Sequence, residues 1–150
     1  MKKFSFPLDT VLHYKEQILE SLRGEHARIL IKVRKCEDEI EDLERRRLLC
    51  IRELSENRTR GMAIHDIRTY ENYLEALRLK ILAKQRELAK LQEEEEKKRE
   101  EVVEAKKETS TIEKLKERKR EEYDKEVQKQ EEQFIEEFVS TKRAMTKLSG

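Results

Sequence analysis

Residues 8–56 read LDTVLHYKEQILESLRGEHARILIKVRKCEDEIEDLERRRLLCIRELSE. Taken in sevens, this stretch has Leu12, Leu19, His26, Val33, Ile40, Arg47 and Leu54 at its a positions. Its d positions are Leu8, Lys15, Leu22, Ile29, Cys36, Leu43 and Cys50. About eleven of these fourteen side chains are apolar, and the frame needs no skip. Alternating steps of three and four draw one narrow apolar stripe along a helix, and such a stripe is buried only against another helix. Gly24 lies off the stripe, where it costs about 1 kcal/mol relative to Ala. Pro7 and Asp9 suit a helix start, proline in a first turn and a carboxylate beside the positive end of the dipole.

The stripe stops at Asn57-Arg58-Thr59-Arg60-Gly61-Met62, which holds the only glycine between residues 25 and 149. Asn and Gly close helices, and so short a break folds the next helix back antiparallel. The second helix is expected from about residue 63 to about residue 143. Residues 62–72 could equally form a separate short helix. Its seam starts as Ile67, Tyr70, Leu74, Leu77, Ile81, Leu88 and Leu91, with Lys84 as an exception. It weakens at Glu95 and Lys98, recovers at Val102, Ala105 and Ile112, and shifts phase through Leu115, Tyr123, Val127, Phe134 and Phe138. The expected fold is therefore all-α: one antiparallel coiled-coil hairpin over residues 1–150, helix one about 8–56, helix two about 63–143, turn near 57–62.

The helices are unequal, ~70 Å and up to ~120 Å at ~1.5 Å rise per residue. Folding at Gly61 places Leu8 opposite roughly residue 112, leaving the last ~30 residues without an intrachain partner. That overhang still carries Leu115, Tyr123, Val127, Phe134, Ile135, Phe138 and Val139. An apolar stripe on an unpaired helix calls for a partner. The alternatives are that the segment frays or that the chain dimerises through it.

Composition agrees. Charged residues make up 46% of the chain and hydrophobic ones 35%, too few for a thick core but enough for a narrow seam. The 35 basic and 34 acidic residues nearly cancel, so no global field draws the chain to nucleic acid or to a membrane. No apolar run approaches the ~20 residues that span a bilayer, and Asp9 and His13 interrupt any signal-peptide core. A cytoplasmic location follows. Cys36 and Cys50 lie two heptads apart, roughly 21 Å along a helix, beyond disulfide reach, and read as small buried hydrophobes.

No catalytic, metal or cofactor constellation is present, and none of these roles is assigned to any residue. There is no Gly-rich phosphate loop, His13, His26 and His65 are scattered, and no spacing suggests zinc. The glutamates form a solvated face rather than a shielded catalytic pair. Two basic runs, Arg45-Arg46-Arg47 and Lys114 to Arg120, raise nucleic acid as a ligand. Glu113, Glu117, Glu121 and Glu122 crowd the second run and oppose phosphates. The sequon Asn57-Arg58-Thr59 has no bearing on a cytoplasmic chain.

Three stretches together resemble the flagellar type III export protein FliJ family. They are Phe4-Ser5-Phe6-Pro7-Leu8-Asp9-Thr10-Val11-Leu12, the start of helix two from Gly61-Met62-Ala63 through Tyr70 to Leu77, and Glu131-Glu132-Gln133-Phe134-Ile135-Glu136-Glu137-Phe138. The resemblance covers the chain in length and layout. It implies a non-enzymatic component of the flagellar export apparatus that binds the ring-shaped export ATPase as a central stalk. It also implies contact with the cytoplasmic domain of the large membrane export-gate protein and with some export chaperones. Such a protein would sit at the cytoplasmic face of the inner membrane through these partners, with no membrane insertion, and be monomeric alone. Carried onto this sequence, the ATPase-binding end is Phe4, Phe6, Leu8, Phe134, Ile135 and Phe138. The gate-facing surface is Leu43, Tyr73 and Leu77, beside Arg46, Cys50, Lys80 and Lys84, which depart from the family's character there. A self-associating structural coiled coil, or the equivalent stalk of a virulence secretion system, is the alternative.

Overall fold

A computed structural model describes residues 2–149. Two helices account for nearly all of it, α1 over Asp9–Arg60 and α2 over Ile64–Ser149, with 52 and 86 residues. The described residues contain no strand. The chain divides into two compact units, residues 20–103 and residues 1–19 with 104–150.

Within residues 20–103 the two helices run antiparallel about the turn at Gly61. This glycine has φ 94°, the left-handed conformation that closes a helix and that a residue with a Cβ adopts at a cost. Its N–H donates to the Arg58 carbonyl at 3.1 Å. α1 continues through Asn57–Arg60, closer to the glycine than its composition suggests. Asn57 falls three residues after Leu54, at the next seam position, and its amide donates to the Tyr70 hydroxyl at 3.0 Å. Arg58 meets Glu71 at 3.3 Å, and the Thr59 hydroxyl donates back to the Ser55 carbonyl. The polar residues that mark a break thus form one more interhelical layer. α2 is continuous from Ile64, so no separate helix covers residues 62–72.

The buried side chains of this unit follow the 3–4 frame. Cys36, Cys50 and Leu54 of α1 and Leu77 and Ile81 of α2 are buried, and Leu77 is the most enclosed at 2% exposure. Leu22, Ile29, Val33, Ile40, Leu43, Ile67, Leu74, Leu88 and Leu91 are half-buried on the same stripes. Arg47 turns out of the seam to solvent. Burial pushes the thiols of Cys36 and Cys50 up from their ordinary range, so both stay protonated, and Cys36 Sγ donates weakly to the Lys84 carbonyl at 3.4 Å.

The polar seam positions are paired across the helices. Nε2 of His26 donates to Oε1 of Glu95 at 2.9 Å. Nζ of Lys98 reaches Glu25 at 2.8 Å and Glu101 at 2.9 Å, and Nζ of Lys84 bridges Glu39 and Glu87. The weak stretch of the sequence is a polar zone of the seam, in which long side chains lay their stems on apolar neighbours and join their charges at the edge. The hydrogen bond and charge of Lys98 hold Glu25 below the ordinary carboxylate range, and those of Lys84 do the same for Glu39.

In the second unit the Lys15–Glu108 ion pair, 2.9 Å, marks the register. Leu12 and Leu19 flank Lys15, and Ala105 and Thr109 flank Glu108, so these four buried residues share adjoining layers. Thr109 is 2% exposed yet satisfied, because its hydroxyl donates to the Ala105 carbonyl at 2.8 Å. Asp9 pairs with Lys116 at 2.6 Å. Leu8 therefore lies nearer residue 116 than residue 112, and the leader before it continues the packing to Tyr123. The expectation that α2 has no partner beyond residue 112 is corrected: half-buried positions continue through Leu115, Lys116, Tyr123 and Val127. From Gln128 to Ser149 every residue is exposed.

Two outcomes follow. Leu77→Ala should lower unfolding stability by about 2–5 kcal/mol, and Leu48→Ala, at an exposed position, by less than about 0.5, in urea titrations followed by circular dichroism. Glu25 and Glu39 titrate lower folded than unfolded, so their contribution is complete above the ordinary carboxylate range and is lost as pH falls through the depressed values. The thermal midpoint should hold near neutrality and fall below about pH 4, with a shallower acid fall in Lys98→Met.

Candidate partner-binding surfaces

The last turns of α2 present an apolar stripe with no covering element. Phe134, Phe138, Met145 and Leu148 follow one another at steps of four, seven and three, the spacing of one helical face. Counting back seven from Phe134 reaches Val127, and four more reaches Tyr123, so this face prolongs the packed seam. Here the side chains are open: Phe134 is 70% exposed, Phe138 61% and Met145 65%. Ile135 and Val139 widen the stripe on one side. Tyr123, Val127, Gln130, Glu131, Phe134 and Ile135 line a shallow groove where the packed part gives way to the open part. A helix with so little buried area gains little stability of its own, and its aromatic rings are exposed at a hydrophobic cost that a partner would remove.

The root of that stripe is held by the leader. The Phe4 and Tyr123 rings lie 5.6 Å apart at 54°, and the Arg120 guanidinium sits over both, 5.0 Å from the Phe4 centroid and 5.9 Å from that of Tyr123. The Tyr123 hydroxyl donates to the Lys2 carbonyl. Phe6 is buried at 6% exposure, and its carbonyl accepts the Asp9 N–H at 3.1 Å, starting α1. Leu8 is partly open at 39%.

The six side chains expected at this end thus fall into two groups. Phe4, Phe6 and Leu8 gather at the packed root, with Phe6 in the core. Phe134, Ile135 and Phe138 lie at least eleven residues beyond Tyr123, about 16 Å along the helix. They are bridged by Val127 rather than joined in one patch. Residues 120 and 123 organise the root. Arg120 lies inside a basic run, and its guanidinium sits over two rings, where its charge meets their negative faces. Nothing in the run's composition marks that role.

Near the turn, the three expected gate-facing residues separate by burial. Tyr73 is 46% exposed, Leu43 is half-buried, and Leu77 lies wholly inside the seam. Leu43 lines a groove with Glu39, Asp42, Arg46, Lys80, Ala83, Lys84 and Glu87. The basic triplet beside it is matched in charge by its own helix: Arg45 with Glu41, Arg46 with Asp42, and Arg47 with Glu44. In the second basic run Lys116 holds Asp9, Lys119 faces Glu122 and Arg120 faces Asp124. Among the described residues no cluster of His, Cys, Asp and Glu has the arrangement of a metal site, and no helix is long and apolar enough to cross a membrane.

Residues 4–146 match the family model described as Flagellar FliJ protein. No curated protein and no solved structure matches the chain.

The root makes its own prediction. Phe4→Ala removes a ring from Tyr123 and Arg120 and should release the leader. Proteolytic cleavage within residues 2–8 should then accelerate at least about tenfold, while unit 20–103 keeps its protection in amide exchange.

Proposed function

The chain belongs to the flagellar FliJ family, and from that premise we propose that it binds the export ATPase ring as a central stalk and links it to the export gate. The family makes the chain a component of the flagellar export apparatus, a structural part rather than a known enzyme. What supports the finer reading is the open stripe of Phe134, Ile135 and Phe138 on a helix that continues past its intrachain partner. Aromatic side chains at helical spacing are the anchors a helix uses in a groove of another protein, and a few of them carry most of the affinity. Leu8 and the open edge of Phe4 add to the same end, and Phe6 serves it from the core.

In this reading the other contact lies toward the turn, where Tyr73 and the Leu43 groove face solvent and Leu77 supports them from beneath. The cytoplasmic domain of the large gate protein is the partner assigned to that surface, and export chaperones are further partners. The chain would act in the cytoplasm, at the inner membrane through these contacts. No step needs a cofactor.

Binding to the purified export ATPase tests the ring contact. Phe134→Ser with Phe138→Ser should weaken it at least about tenfold, equivalent to about 1.4 kcal/mol or more, with helicity unchanged. Undiminished binding by this variant, or by a chain ending at residue 130, would sink the assignment. Tyr73→Ala should weaken binding to the gate domain and leave ring binding alone.

A further inference from the structure

The open tail has a second property that binding to a ring does not explain. Its charges are divided by sign. Residues 131–138 carry Glu131, Glu132, Glu136 and Glu137 and no Lys or Arg. Residues 141–148 carry Lys142, Arg143 and Lys147 and no Asp or Glu. The halves are adjacent blocks of one exposed helix. The blocks Glu93–Glu96 and Lys97–Arg99 are divided by sign as well, but their charges pair along and across the helices, as Lys97 with Glu93 and Lys98 with Glu25.

We propose that the tail pairs antiparallel with the tail of a second copy of this chain, about a twofold axis between Val139 and Ser140. That axis lays residues 131–138 of one copy along residues 141–148 of the other. The acidic block of each copy then lies alongside the basic block of the other, most of these charges at outer positions of the helix rather than beside the seam, whereas a parallel pair would set like against like. The same axis satisfies the apolar spacing independently. Phe134, Phe138, Thr141 and Met145 recur at steps of four, three and four. In heptad terms Phe134 and Thr141 are d positions and Phe138 and Met145 are a positions. Antiparallel coiled coils layer a against d, and this axis puts Phe134 on Met145 and Phe138 on Thr141. A thioether on an aromatic ring is a favourable contact. The charge blocks thus favour the antiparallel direction, and the hydrophobic layers choose the register.

A second copy, not a further element of this chain, is the occupant, because α1 already lies against α2 up to Lys116 and the leader up to Tyr123. The stripe offers few layers, so the pairing is weak and set by mass action, and it would hide the stripe that the ring contact needs. The proposal shares that tail with the proposed function but not its test. The mass of the chain alone says nothing about the ring, and ring binding says nothing about the mass.

Sedimentation velocity of the full chain over a concentration series reads the pairing. At low salt the mass should rise with concentration from that of one chain, 18.2 kDa, toward twice that, and added salt should weaken the association. K142E/R143E/K147E turns the basic half acidic and should weaken association at least about tenfold, with unchanged circular dichroism. Adding E131K, E132K, E136K and E137K to that variant swaps the halves and should restore association to within about threefold of the natural chain. Thr141→Leu fills the layer facing Phe138 and should tighten it. A chain that stays monomeric at every concentration overturns the proposal. So does a triple variant that associates as the natural chain does, or a swapped chain that fails to recover.

Discussion

Two helices can bury only one strip of each other's surface, and this constraint governs the whole molecule. A globular core shares its interior among many elements, so a polar side chain there can be outvoted by its neighbours. In a two-helix seam each layer is met by a single facing layer, and a polar residue must find its partner directly across or leave. Both answers occur. His26 finds Glu95 and Lys98 finds Glu25, whereas Arg47 swings out beside Glu44. The cross-helix ion pairs are each worth little at a half-exposed edge, but their geometry is specific to one register. Within residues 20–103, Glu25 with Lys98 and Glu39 with Lys84 agree on it.

Where the seam ends, an open apolar stripe begins. α1 has 52 residues and α2 86, and the leader lengthens the shorter partner only as far as Tyr123. The period of three and four in α2 does not stop there. It continues through Phe134, Phe138 and Met145 with nothing of this chain to cover it. The spacing that makes an internal core in one stretch makes an exposed apolar stripe in the next. The difference is the length of the facing helix, not the character of the residues. The leader fastens the root of that stripe through Phe4 and Tyr123.

Much of this was legible in the residues. The heptad frame of α1, the turn at Gly61 and the open tail all follow from spacing and from one glycine. Three features were not. Thr109 is among the most buried residues, yet a hydroxyl gives no hydrophobic signal, and it fits because it bonds to its own helix. Asn57 and Thr59 have the composition of a break but stay helical, because Tyr70 and the Ser55 carbonyl satisfy their side chains. The leader is too short for any period to show, so its packing on Tyr123 and Arg120 could not be read ahead. Of the expected contact residues, burial alone separates Tyr73 from Leu77 and Phe134 from Phe6, since a partner-facing and a core-facing aromatic look the same in a sequence.

The sequence by itself determined the helical class, the stripe that each helix buries and the point of reversal. These depend on local spacing and backbone preference, which each stretch carries with it. Only the tertiary structure decided where the self-covering ends, which polar residues pair across the seam and which apolar ones remain open. Those outcomes depend on register, and register belongs to no single stretch. It is set by how two distant segments settle against each other, the leader included.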